Sequence, residues 1–81
     1  MSPLRKVALA SLNTFIDARS FRDDPTPAGL AALVDGVNHL AVTSQVARRK
    51  TPSTPATTEF IRARLAFAMS AIQPLMEVSH A

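Results

Sequence analysis

The stretch from Ala32 to Thr43, ALVDGVNHLAVT, can be read in two ways, and the choice decides the fold. In one reading Gly36 makes a turn between two short helices, with Ala32, Val37 and Val42 locking them together as in a helix-turn-helix. In the other, a single helix runs from Pro27 to Arg49, and Leu30, Leu33, Val37 and Leu40 fall on one helical period. Two residues favour the continuous helix, and whether Gly36 breaks it stays open at the level of sequence. Asp35 stands where the turn motif packs an apolar side chain, and Gln45 where its second helix needs one. Gly36 inside a helix then costs about 1 kcal/mol relative to Ala, but lets a neighbouring helix come close.

Outward from that helix, prolines mark the boundaries. Ser2, Thr26 and Thr54 each precede a proline. Each pair reads as a capping hydroxyl followed by Pro at the first helical position, where its missing N–H costs nothing. This predicts three helices, near 3–22, 27–49 and 56–79. Asp23 to Thr26 form a short first linker, and Thr51 to Pro55 a polar second one. No stretch alternates like a strand, and no internal repeat is evident. The expected fold is therefore all-α: a three-helix antiparallel bundle, a single domain over 1–81, and oligomeric. Pro74 is expected to kink the last helix or end it near Gln73, and His80 and Ala81 to fray.

The apolar faces argue for assembly. At 100° per residue, Leu4, Val7, Ala8, Leu12, Phe15 and Ile16 share a face of the first helix, and Leu9 widens it. The second helix carries a stripe of Leu30, Leu33, Val34, Val37, Leu40 and Ala41, with Val42 and Val46 on a smaller one. The third is apolar over more than half its circumference, from Phe60 and Ile61 through Leu65, Phe67, Met69 and Ile72 to Met76. A surface helix of a monomer needs one stripe of about 100°. The surplus predicts a contact with another chain, most of it from the first and third helices. The candidate interface residues are Leu9, Ile16, Phe60, Phe67, Met69, Ile72 and Met76.

Composition points the same way. The chain has 81 residues, 47% hydrophobic and only 5% aromatic, with a net charge of +3. It is too apolar for a disordered tail. Without Cys it has no disulfide framework, thiolate zinc site or cysteine nucleophile. Small cores barely offset the chain entropy, about 1.5 kcal/mol per residue, so a chain this small without staples is expected to associate. No uncharged run reaches the roughly 20 residues that span a bilayer, and no signal peptide is evident, so a cytoplasmic protein with no membrane partner is expected. The preference for Arg over Lys and the abundance of Ala suggest a bacterial or phage genome.

Charge is distributed unevenly. An up-down-up arrangement gathers Arg5, Lys6, Arg48, Arg49, Lys50, Arg62 and Arg64 at one end, with only Glu59 against them. The other end holds Asp17, Asp23, Asp24, Asp35 and Glu77 with Arg19 and Arg22. Cations in the last turn of the second helix offset its dipole. As a group they form a basic pole suited to an acidic surface or phosphates.

The residues offer no catalytic constellation. One mid-helix His and one terminal His make no Ser–His–Asp arrangement, and two glycines make no phosphate loop. Asp35 with His39, and Glu77 with His80, are too few for a metal centre, and no cofactor is expected. The expected function is a small non-catalytic interaction protein, an adaptor, inhibitor or anti-activator, bound to itself and to another protein. The alternative is a dimeric DNA-binding regulator. There Thr43, Gln45, Arg48 and Arg49 would face the groove, with Lys50 and Arg5 on phosphates. The absence of Trp and Tyr speaks against single-stranded nucleic acid.

Overall fold

The computed structural model describes residues 1–78. They form three helices: α1 (Pro3–Asp23), α2 (Pro27–Lys50) and α3 (Pro55–Val78). The capping hydroxyls act as the sequence predicts. Ser2 Oγ accepts from the Arg5 N–H at 3.2 Å and Thr26 Oγ1 from the Gly29 N–H at 2.9 Å. Thr54 Oγ1 accepts from the Thr57 N–H at 3.2 Å. Each bond satisfies one of the donors a helix start leaves open, worth about 1 kcal/mol.

α2 passes through Gly36 without a break, as the single period of Leu33 and Leu40 requires. A Cβ on Gly36 would lie 3.3 Å from Thr14 Oγ1 and 3.4 Å from Asp17 Oδ2, so the glycine is where α1 and α2 approach closely. α3 likewise continues through Pro74 to Val78, close to its expected bounds, so of the two effects expected of that proline an end near Gln73 does not occur. The proline withholds only the N–H that would have reached the Ser70 carbonyl, and the flanking turns keep their helical form. The expected ends at Ser79, His80 and Ala81 lie outside the described residues.

α1 is the middle helix. α2 and α3 flank it and approach each other little. The partners of α1 come in reverse order along α2, with Phe21 beside Gly29 and Thr14 beside Gly36. They come in forward order along α3: Arg64 reaches Ala8 and Ser11, and Phe67 meets Phe15. The molecule is elongated and flattened, with extents of 41 × 22 × 14 Å and a radius of gyration of 13.5 Å.

The middle position changes which face of α1 is buried. The expected apolar face was centred on Leu4, Ala8, Leu12 and Phe15, yet the buried residues are Val7, Ala10, Ser11, Thr14 and Ala18, about a quarter turn away. A helix gripped from two sides packs best through small side chains, which let both neighbours come near. The two hydroxyls are compatible with burial because each donates to its own helix, Ser11 to the Ala8 carbonyl at 2.7 Å and Thr14 to the Ala10 carbonyl at 2.9 Å. Around this face the core forms two clusters. Val7, Ala10, Leu40, Ala47, Ile61 and Ala68 fill one end, with Leu4 and Leu65 against them. Ala18, Leu33 and Ala71 fill the other, with Phe15, Ile72 and Leu75. In α2 only Leu33 and Leu40 of the expected stripe are buried, while Leu30, Val34, Val37 and Ala41 are exposed.

Candidate interaction surface

Because the core uses small residues, the large ones are left outside. Leu9, Leu12, Ile16, Leu30, Val34, Val37, Val42, Phe60, Met69 and Met76 each keep between 38% and 59% of their surface in solvent. The fold sorts most of them onto two broad sides. Leu9, Leu12 and Ile16 lie along α1 opposite its buried face. Phe60 is on their side, sharing a helical face with Arg64 and Phe67, which touch α1.

The other broad side is built by α2 and α3. Arg48 and Thr51 of α2 share a small recess of about 220 Å³ with Thr57, Thr58 and Ile61 of α3. This identifies the flanks that face each other. By helical period, Leu30, Val37 and Ala41 follow Arg48 along α2, and Val34 borders them. Leu65, Met69, Ile72 and Met76 follow Thr58 along α3. The result is an apolar surface on the side away from the outer face of α1, with no charged residue within the α2 stripe from Leu30 to Ala41.

The predicted interface residues are therefore not one patch. Leu9, Ile16 and Phe60 belong to the α1 side, and Met69, Met76 and the half-buried Ile72 to the α2–α3 side. Phe67 belongs to the interior contact between α1 and α3. Its ring stacks on Phe15 at 4.4 Å between centroids and 13° between planes. The Arg64 guanidinium lies 4.7 Å from the Phe67 centroid, and that of Arg19 lies 5.8 Å from that of Phe15. The sequence reading placed Leu30, Val34 and Val37 on the apolar stripe of the second helix and did not name them among the interface residues. Their exposure becomes legible only once α1 is known to be the middle helix.

The basic residues divide too. Arg5, Arg49 and Arg62 are exposed at one end, and Arg62 pairs with Glu59 at 3.6 Å on the open surface. Such a pair contributes little to stability. Lys6 and Lys50 line an open recess of about 430 Å³ with Met1, Pro3, His39, Val42, Thr43 and Val46, so the second apolar stripe of α2 finds its place there. Arg64 is tied into the fold: its Nε donates to Ser11 Oγ at 2.8 Å and Nη2 to the Ala8 carbonyl at 3.4 Å. It serves as a strut between α1 and α3.

Among the described residues no group of three His, Asp or Glu could hold a metal ion, and no helix is long and apolar enough to cross a membrane. His39 and Asp35 are both exposed, and His80 lies outside the described residues. For the DNA-binding alternative, Gln45, Arg48 and Arg49 are exposed and Thr43 half-buried, but the uninterrupted α2 gives them no turn to project from. Compared with protein-family models, curated proteins and solved structures, the chain finds no match.

Proposed function

We propose that this chain is a small cytoplasmic, non-catalytic interaction protein that acts by covering a partner's surface, as an adaptor, inhibitor or anti-activator does. Its helices run up, down and up, and it associates with itself. One observation carries the reading: large apolar side chains stand exposed on both broad sides of an 81-residue chain, methionines among them on the α2–α3 side. Monomers seldom leave large contiguous apolar areas in water, and at about 25 cal/mol per Å² their burial in a contact is strongly favourable. Methionine suits such a surface because its flexible thioether repacks against varied neighbours. The exposed cations at one end orient the approach of an acidic partner.

Met69→Glu places a charge in the middle of the exposed surface of α3. The variant is expected to keep its helical content and lose assembly and partner binding, read by sedimentation velocity beside the unsubstituted chain. Unchanged native mass together with unchanged partner binding would defeat the reading. Tight binding of duplex DNA with a steep salt dependence would favour the regulator in its place.

A further inference from the structure

The broad side formed by α2 and α3 is the stronger of the two apolar sides. It presents two parallel rows, Leu30, Val34, Val37 and Ala41 on one helix and Leu65, Met69 and Ile72 on the other. The outer side of α1 presents one row, with Phe60 of α3 on the same side and Arg5 and Arg19 at its ends. We propose that the α2–α3 side is covered by the α2–α3 side of a second copy, related by a two-fold axis that lies in the contact plane and crosses the helices. This rests on the self-association reading above and names its face, its occupant and its sense.

The area fits. The chain exposes 5526 Å². A compact monomer of its mass exposes about 4,700 Å² by the usual scaling. The excess of about 800 Å² is what each partner contributes to a standard interface. The flattened form is the source of that excess. Its radius of gyration of 13.5 Å exceeds the roughly 12 Å of a sphere-like chain of this length.

Charge selects the sense. Arg5, Lys6, Arg48, Arg49, Lys50 and Arg62 gather, with Glu59 against them, where α1 and α3 begin and α2 ends, whereas Asp23, Asp24 and Glu77, offset in part by Arg19 and Arg22, lie at the opposite end. A two-fold axis along the helices stacks basic end on basic end. An axis across them stacks basic end on acidic end, which opposes the repulsion of two chains of net charge +3. In that sense α2 lies antiparallel on α2 of the second copy, and α3 on α3. The apolar row of α2 is centred between Val34 and Val37, and that of α3 at Met69. These residues flank the axis, so each approaches its own equivalent. The contact is isologous and closes at two chains.

The test uses the absence of Cys from the sequence. Val37→Cys, Met69→Cys and Ile16→Cys each introduce one thiol, and all three sites are exposed. Each variant is treated with a two-carbon bis-maleimide and run on a denaturing gel, with its native mass measured alongside. Val37→Cys and Met69→Cys are expected to give dimers at least several-fold more efficiently than Ile16→Cys. A dimeric native mass with cross-links only at Ile16→Cys would overturn the proposed face and leave self-association standing. Cross-links only when Val37→Cys is mixed with Met69→Cys would overturn the proposed sense, since they require α2 to lie on α3. Polymers would overturn closure at two chains. A native mass of one chain would overturn both this proposal and the self-association beneath it.

Discussion

Arg64→Ala measures how firmly α3 is held to α1. The substitution removes the 2.8 Å bond from Nε to Ser11 Oγ, the weak 3.4 Å bond from Nη2 to the Ala8 carbonyl and the guanidinium 4.7 Å from the Phe67 ring centroid. A hydrogen bond from a charged donor is worth about 1.5–3 kcal/mol, and a half-buried site takes the lower end. A cation against a partly exposed ring adds about 0.5–1 kcal/mol. The longer bond contributes little at its length. The expected loss is therefore about 2–3 kcal/mol, or a fall in Tm of about 10–20 °C for a domain of this size.

Without Trp or Tyr the chain offers little intrinsic fluorescence. The assay is far-UV circular dichroism during thermal and urea unfolding, at one matched protein concentration because association shifts apparent stability. Arg64→Lys keeps the charge but loses the planar fork and the ring contact, so it is expected to recover less than half of the loss. A double-mutant cycle with Ser11→Ala is expected to show coupling of about 1 kcal/mol. An Arg64→Ala variant within about 0.5 kcal/mol of the unsubstituted chain, with no coupling to Ser11, would refute the strut.

Two further outcomes follow from packing. Ser44 is 2% exposed and its Oγ has no hydrogen-bond partner, so Ser44→Ala is expected to raise stability by about 1 kcal/mol in urea unfolding; a loss of that size would contradict its unpaired state. Gly36→Leu drives a side chain into Thr14 and Asp17 and is expected to cost about 2–3 kcal/mol, whereas Gly36→Ala stays near neutral because better helix propensity offsets the tight Cβ; equal stability of the two variants would show that α1 and α2 do not approach closely there.

The helix starts were legible because each is a local signal: a hydroxyl, a proline and a donor three residues on. The continuity of α2 was legible only in part: one period accounts for Leu33 and Leu40, but the close neighbour that explains Gly36 appears only in the structure. The choice of buried face was not legible. The apolar face read from the period runs from Leu4 through Leu12 to Ile16, whereas a middle helix buries Ala10, Ser11, Thr14 and Ala18. That position depends on how three helices share one another, which no single helical period contains. For the same reason the stripe holding Leu30, Val34 and Val37 did not tell which of its members stay exposed. One basic end was an expectation, legible in the charges once up-down-up connectivity is assumed. The part played by Arg64 was not, since Ser11 is 53 residues away in sequence. Helical spacing placed Phe67 on an apolar face, but nothing in it pairs that ring with Phe15.

Light scattering coupled to size exclusion, at low and at moderate salt, tests the central claim most directly: the large side chains left outside this small fold are a contact surface. A single species of twice the 8.7 kDa chain mass is expected at both salt concentrations. A monodisperse species of one chain mass, holding at high protein concentration, would contradict self-association and leave the exposed faces to a different partner.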